Sequence, residues 1–268
     1  VSLSMWARRT PGFSGAELAN LINEAAILTA RRQKAFIDES ALHDALERVT
    51  MGLGANPLQD SAKKRLIAYH EVGHALLTTL LPAADELDKV TILPRAGGVG
   101  GFARTTPDEE ILDSGLISKA YLQSRLVVAM GGRAAEMVVF GPAEVTQGAS
   151  SDLQLVTQIA REMVTRYGFS VLGPVAYERD GGEVFLGRDW MRPETEYSGR
   201  TGKAIDHEVL LLARQALEKA EQMLSSRRKL LDELVVCLIE QETISGEDFR
   251  ERVKRHEATH PQLMPSRG

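Results

Sequence analysis

Six histidines occur in this chain, and four of them fall in two copies of one pattern, His-Glu-x-x-His. The first copy is His70-Glu71-Val72-Gly73-His74 and the second is His256-Glu257-Ala258-Thr259-His260. On a helix, residues four apart lie one turn apart on the same face. Two imidazoles so placed can hold one zinc ion, and the Glu beside the first His can take a proton from water that the ion activates.

Context separates the copies. The first lies in a strongly apolar stretch with Leu66, Ile67, Val72, Ala75, Leu76, Leu80 and Leu81, where two histidines and a glutamate on a buried helix all need partners. The second lies in a polar stretch that stops at Pro261, which pushes His260 away from helical geometry. No Asp, Glu or His follows it, so the second copy reads as a solvated tail.

A catalytic zinc keeps three protein ligands and one open position. Residues 75–81 contain no His, Asp or Glu, so the third ligand must come from further on. Glu136, in Gly131-Gly132-Arg133-Ala134-Ala135-Glu136, sits on a helix whose small residues permit close approach to the motif helix. Asp152, in Gly148-Ala149-Ser150-Ser151-Asp152, sits where a small-residue loop enters a helix. Its bland alternative is an acid that merely stabilises the helix dipole. The residues alone leave Glu136 and Asp152 near even.

The positioning elements read as mainly α with a small β-sheet. Ser14-Gly15-Ala16-Glu17 has the form of a capping box opening a helix to Arg32, and a second helix spans Glu39 to Val49. Gly52 to Pro57 reads as a linker. The motif helix spans Ala62 to Leu81. Lys89 to Leu93 and Val99 to Thr105 read as two short strands. Helices follow at Ser118 to Phe140, Asp152 to Tyr167, Tyr197 to Ser226, Arg228 to Glu240 and Ser245 to His256, and Gly168 to Pro193 loops with one or two strands.

Composition bounds the rest. With 43% hydrophobic and 26% charged residues, the 268-residue chain has the make-up of a globular protein able to bury a core. A net charge of −5 gives no reason to expect nucleic acid. The single cysteine, Cys237, excludes an internal disulfide and lies in an apolar run as a packed, inert thiol. No run approaches the roughly 20 apolar residues that cross a bilayer, so the chain as given is expected to be soluble, with any anchor upstream of Val1.

Several segments together resemble one family. Thr10-Pro11-Gly12-Phe13-Ser14-Gly15-Ala16-Glu17-Leu18, Tyr69-His70-Glu71-Val72-Gly73-His74-Ala75, Lys89-Val90-Thr91-Ile92-Leu93-Pro94-Arg95, Gly131 to Glu136 and Gly148 to Asp152 make the chain, from about residue 9 to 255, similar to the C-terminal part of FtsH-type AAA+ zinc metalloproteases, especially cyanobacterial and chloroplast members. The resemblance implies the last helices of an AAA+ lid over 1–50, a linker over 51–60, a helical zinc-peptidase domain over 61–256 and a polar tail over 257–268. It implies one zinc ion held by His70, His74 and Asp152, Glu71 as the catalytic base, and Glu136 behind the ligands, holding an imidazole. Met137, where many members carry Glu, and Ser151, where Asn is common, depart from the pattern without removing a ligand or the base.

The implied activity is peptide-bond hydrolysis within a membrane-anchored, ATP-dependent protease of protein quality control. It implies unfolded polypeptide substrates and a homo- or hetero-hexamer. It also implies a cellular or thylakoid membrane reached through a segment absent here, with this domain on the cytoplasmic or stromal side. No Gly-x-x-x-x-Gly-Lys-Ser/Thr phosphate loop occurs, so ATP is expected to act outside this chain. Val99, Gly100, Gly101 and Phe102 are read as a strand edge for extended substrate, against a plain structural strand. Two other classes remain: a metal-free helical oligomerisation module, and a zinc hydrolase of non-peptide substrates.

Overall fold

The structure, a computed structural model, describes residues 2–10, 12–51, 62–94, 100–107, 111, 114–178 and 197–259. The greater part of the expected linker, the tail from 260, Val99, and 179–193 of the expected Gly/Pro-rich loop lie outside the described residues. The chain divides into two compact units. One comprises Val1–Val72, Asp85–Leu116 and Asp232–Pro261; the other comprises Gly73–Ala84, Ile117–Leu231 and Gln262–Gly268. The boundary falls inside one continuous helix, the motif helix itself.

In the first unit, α1 (Leu3–Arg9), α2 (Gly15–Arg31) and α3 (Glu39–Met51) enclose an apolar cluster of Trp6, Leu21, Ala25, Leu28, Leu42, Ala45 and Leu46. The capping box forms: Ser14 Oγ accepts from the Glu17 amide, and the Glu17 carboxylate accepts from the Ser14 amide at 2.7 Å. The Ser14 amide and then the Ser14 hydroxyl, both donating to it, hold the Glu17 carboxyl below its usual pKa. The same unit holds the start of α4 (Ala62–Leu80) and a three-stranded antiparallel sheet in the order β2-β1-β3.

β1 (Glu86–Thr91) is central, pairing with β2 (Phe102–Thr106) through Val90↔Ala103 and with β3 (Thr243–Ser245) through Val90↔Ile244. The two expected strands therefore gain a third that carries almost no pattern of its own, being three residues long. It is fixed instead by a local device: Glu242 turns the chain with φ +59°, and Thr91 Oγ1 donates to the Glu242 carbonyl at 2.9 Å. β2 begins at Phe102 rather than at Val99, with Gly100 and Gly101 preceding it. α9 (Arg228–Gln241), which crosses the unit boundary, and α10 (Gly246–Thr259) follow the second half of the chain. On α9, Cys237 is buried and burial pushes its thiol pKa up, keeping it protonated and unreactive.

In the second unit the single helix expected over Ser118 to Phe140 is broken in two. α5 (Lys119–Ala129) ends at Met130 and α6 (Gly131–Phe140) starts immediately afterwards. Two consecutive glycines weaken the helix there, and the Met130 amide closes the end of α5 on the Leu126 and Val128 carbonyls. α7 (Ser150–Thr165) and α8 (Gly199–Ser225) complete the unit, α8 burying Ile205, Ala216, Ala220 and Leu224 while it packs on α5, α6 and α7. Arg228 donates to the Val138 carbonyl at 3.0 Å and secures the end of α6.

The half-buried His43 on α3 lies edge-on to Trp6, ring centroids 5.0 Å apart, against the Arg9 guanidinium. Burial, then Arg9 and Arg104, hold its pKa below the ordinary 6.5. The unfolded chain therefore binds this proton more readily, and folding stability must fall as pH drops through about 6.5. Denaturant titrations from pH 7.5 to 5.5 should show a steeper loss for the native chain than for His43→Gln; equal slopes would contradict this origin.

Candidate metal centre

Helix α4 places His70 and His74 one turn apart, as its spacing requires. It is lined by fully buried Ala68, Val72, Ala75, Leu76 and Leu77, so its position is fixed along most of its length. α6 crosses it at very short range. A Cβ on Gly73 would come within 2.4 Å of the Gly131 carbonyl oxygen and 2.7 Å of Ala135 Cβ, and one on Gly131 within 2.9 Å of His74 Cα. Only glycines allow the two backbones to touch beside the second histidine.

The helix break acts directly on that histidine. His74 Nδ1 lies 2.8 Å from the Val128 carbonyl oxygen, in the last turn of α5. A carbonyl only accepts, so Nδ1 carries the proton, and in the neutral ring Nε2 presents its lone pair on the other side. There it faces Asp152, with Oδ2 at 3.5 Å. Asp152 sits in the first turn of α7.

Among the described residues, His70, His74 and Asp152 form the one cluster able to hold a metal ion, their ligand atoms lying within 4.8 Å of one another. All three are buried or half-buried. A separation of 3.5 Å between His74 and Asp152 exceeds that of a charge-assisted hydrogen bond, about 2.7–2.9 Å. Zinc–ligand bonds of about 2.0–2.2 Å put two tetrahedral ligands roughly 3.3–3.6 Å apart. Two lone-pair donors facing each other across that gap suit a cation between them, and the donor set of two imidazoles and one carboxylate suits zinc with an open fourth position.

Of the two acids weighed from sequence, the structure brings Asp152 to the histidines. Glu136 lies on α6, 0% exposed, and its carboxylate accepts from the Thr146 amide at 2.7 Å and the Thr146 hydroxyl at 3.3 Å. Glu71 is buried at 8% exposure. A Cβ on Gly101 would meet Glu71 Cγ at 2.9 Å, so the entry to β2 runs beside that carboxylate. Phe102 is buried and belongs to the core, whereas Gly100 packs over Ile67.

The second motif copy behaves differently from the expected solvated tail. The His256 side chain is 8% exposed and lies 3.5 Å from Glu233, because α10 keeps its packed face as far as that residue. His260 lies outside the described residues. What sequence reasoning missed is the Val128 carbonyl and Thr146: the first is a backbone atom, and the Gly131-Gly132 pair was its only trace.

A mainly helical domain carrying a His-Glu-x-x-His centre completed by a distant aspartate is the class that fold and site define. Residues 57–252 match the sequence model of peptidase family M41 and residues 1–44 match that of the AAA+ lid domain. The chain belongs to peptidase family M41, the match spanning well over half of it. It is 49% identical over 252 residues to the ATP-dependent zinc metalloprotease FtsH 3 of Synechocystis sp., covering 93% of this chain and 41% of that protein. The FtsH of Trieres chinensis is 47% identical over 252 residues, covering 94% and 38%, and the chloroplastic FTSH 5 of Arabidopsis thaliana 46% over 245 residues, covering 91% and 34%. The chain thus spans roughly two fifths or less of the length of these relatives. No helix among the described residues is long and apolar enough to cross a membrane.

The glycine crossing gives a direct structural test. Gly73→Ala forces α4 from α6 and is expected to destabilise the chain by about 1–3 kcal/mol, seen as a lowered thermal midpoint; an unchanged midpoint would contradict the close approach.

Proposed function

We propose that this chain is a zinc-dependent endopeptidase, the proteolytic portion of an ATP-dependent protease. The observation that carries the reading is the convergence of His70, His74 and Asp152 beside a buried glutamate. His70 and His74 would hold the ion through ring nitrogens and Asp152 through its carboxylate. Zinc held there supplies a Lewis acid that polarises a carbonyl and brings the pKa of water to about 7. Glu71 accepts a proton from the attacking water on its carboxylate and passes it to the departing amine nitrogen. Val128 holds His74 in the one tautomer that leaves Nε2 available. Glu136, behind the ligands, steadies the arrangement.

Extended polypeptide suits the site. Among the described residues β2 is an edge of the sheet, and Gly101 at its entry lies against Glu71. A substrate strand added to that edge by main-chain hydrogen bonds would pass the base with little sequence preference. The names of the relatives, ATP-dependent zinc metalloproteases, support the same chemistry. We extend the reading to a lid over 1–50 and a peptidase domain over 61–256. In the whole protein we place a hexameric ring, threaded polypeptide substrates and an anchor in a cellular or thylakoid membrane.

Glu71→Gln removes the base without removing a ligand. It should bind one zinc per chain and lose about 10²–10⁴-fold in kcat on an unstructured peptide, whereas Asp152→Ala should lose zinc as well. Retained cleavage in Glu71→Gln, or full zinc affinity in Asp152→Ala, would overturn the assignment.

A further inference from the structure

Asp152 and His74 come from helices nearly eighty residues apart in sequence, and something must hold them at ligand spacing. Asp152 is reached through a short path: Gly141 leaves α6, a 3₁₀ turn covers Pro142–Glu144, and a second covers Gln147–Ala149 before α7 opens at Ser150. Thr146 sits at the head of that second turn. Its hydroxyl oxygen accepts from the Gly148 amide at 3.2 Å, and it lies 3.3 Å from Glu136 Oε1. Its own amide donates to Glu136 Oε2 at 2.7 Å.

The directions of these bonds are fixed by their end groups. An amide only donates and a carboxylate only accepts, so the Thr146 hydroxyl donates to Glu136 while accepting from Gly148. A side chain at this position must do both at once, which a hydroxyl can and an aliphatic group cannot. Glu136 itself is 0% exposed, on the helix whose Gly131 touches Gly73 beside His74. A buried carboxylate is held strongly to its donors, since losing one leaves charge without compensation. The contacts thus run unbroken from His74 on α4, through α6 and Glu136, to Thr146, Gly148 and the first turn of α7.

We infer that Thr146 is a positioning residue for the metal centre: by bridging Glu136 and the Gly148 amide, it sets the loop that carries Asp152 to ligand distance from His74. The inference rests on the zinc reading proposed above. It assigns Glu136 a task at the loop as well as its place behind the ligands, and predicts that the site loosens when the hydroxyl is lost although every ligand remains. Outer groups of this kind change metal affinity by about 10–100-fold.

The test measures zinc affinity on the intact chain by competition with a chromophoric chelator, for the native protein, Thr146→Val, Thr146→Ala, Thr146→Ser and Asp152→Ala, alongside thermal midpoints without metal. Thr146→Val and Thr146→Ala should bind zinc about tenfold more weakly, and Thr146→Ser should return to within about threefold of native. The metal-free midpoint of Thr146→Val should lie below that of Thr146→Ser, since the buried Glu136 loses a donor, so zinc affinities are compared at a temperature where every variant is folded. If Thr146→Val does not fold, Thr146→Ala against Thr146→Ser carries the comparison. Native affinity in Thr146→Val and Thr146→Ala, with Asp152→Ala weakened, would overturn this inference alone. Native affinity in Asp152→Ala would overturn the zinc reading beneath it.

Discussion

The structure turns on one imidazole held from behind. His74 donates through Nδ1 to a carbonyl that can only accept, which leaves Nε2 and the Asp152 carboxylate as two lone-pair donors facing each other at 3.5 Å. A proton on Nε2 or a cation between the two relieves that opposition, and the 3.5 Å gap with His70 alongside suits the cation. The interruption of one helix into α5 and α6 supplies that carbonyl. It lies in the last turn of α5 and also takes the Met130 amide, a second lone pair serving His74. The end of α5 thereby fixes which nitrogen of His74 faces Asp152.

Around that point the fold works by close approach. The backbones of α4 and α6 meet at Gly73 and Gly131, next to the motif's second histidine, so α6 brings the buried Glu136 into the same neighbourhood. In the other unit the entry to β2 lies against Glu71 through Gly101. In each unit a glycine thus lets backbone come close to the motif helix.

Much of this was legible in the sequence because it rests on short periodicities. The spacing of His70 and His74, the apolar run around them and the capping box at Ser14 each announce a helix and its face, and the helices appear where those patterns lie. Which of the two acids approaches the histidines was not legible from residue physics, since both are acids on helices flanked by small residues. It needed the family resemblance first and the three-dimensional approach to His74 second. The break at Met130 and the strand Thr243–Ser245 were hidden for another reason. One depends on which helix end must accept a foreign proton, the other on pairing with β1, and neither leaves an apolar rhythm. His256 was misread as solvated because its polar neighbours concealed the packed face of α10.

The most direct test of the metal centre is X-ray absorption at the zinc edge on metal-loaded protein, native and Asp152→Asn. One zinc per chain with two imidazole shells and light oxygen ligands at about 2.0–2.2 Å, altered when Asp152 is replaced, is the predicted result. A zinc with one imidazole or none, or a spectrum indifferent to Asp152, would contradict the account.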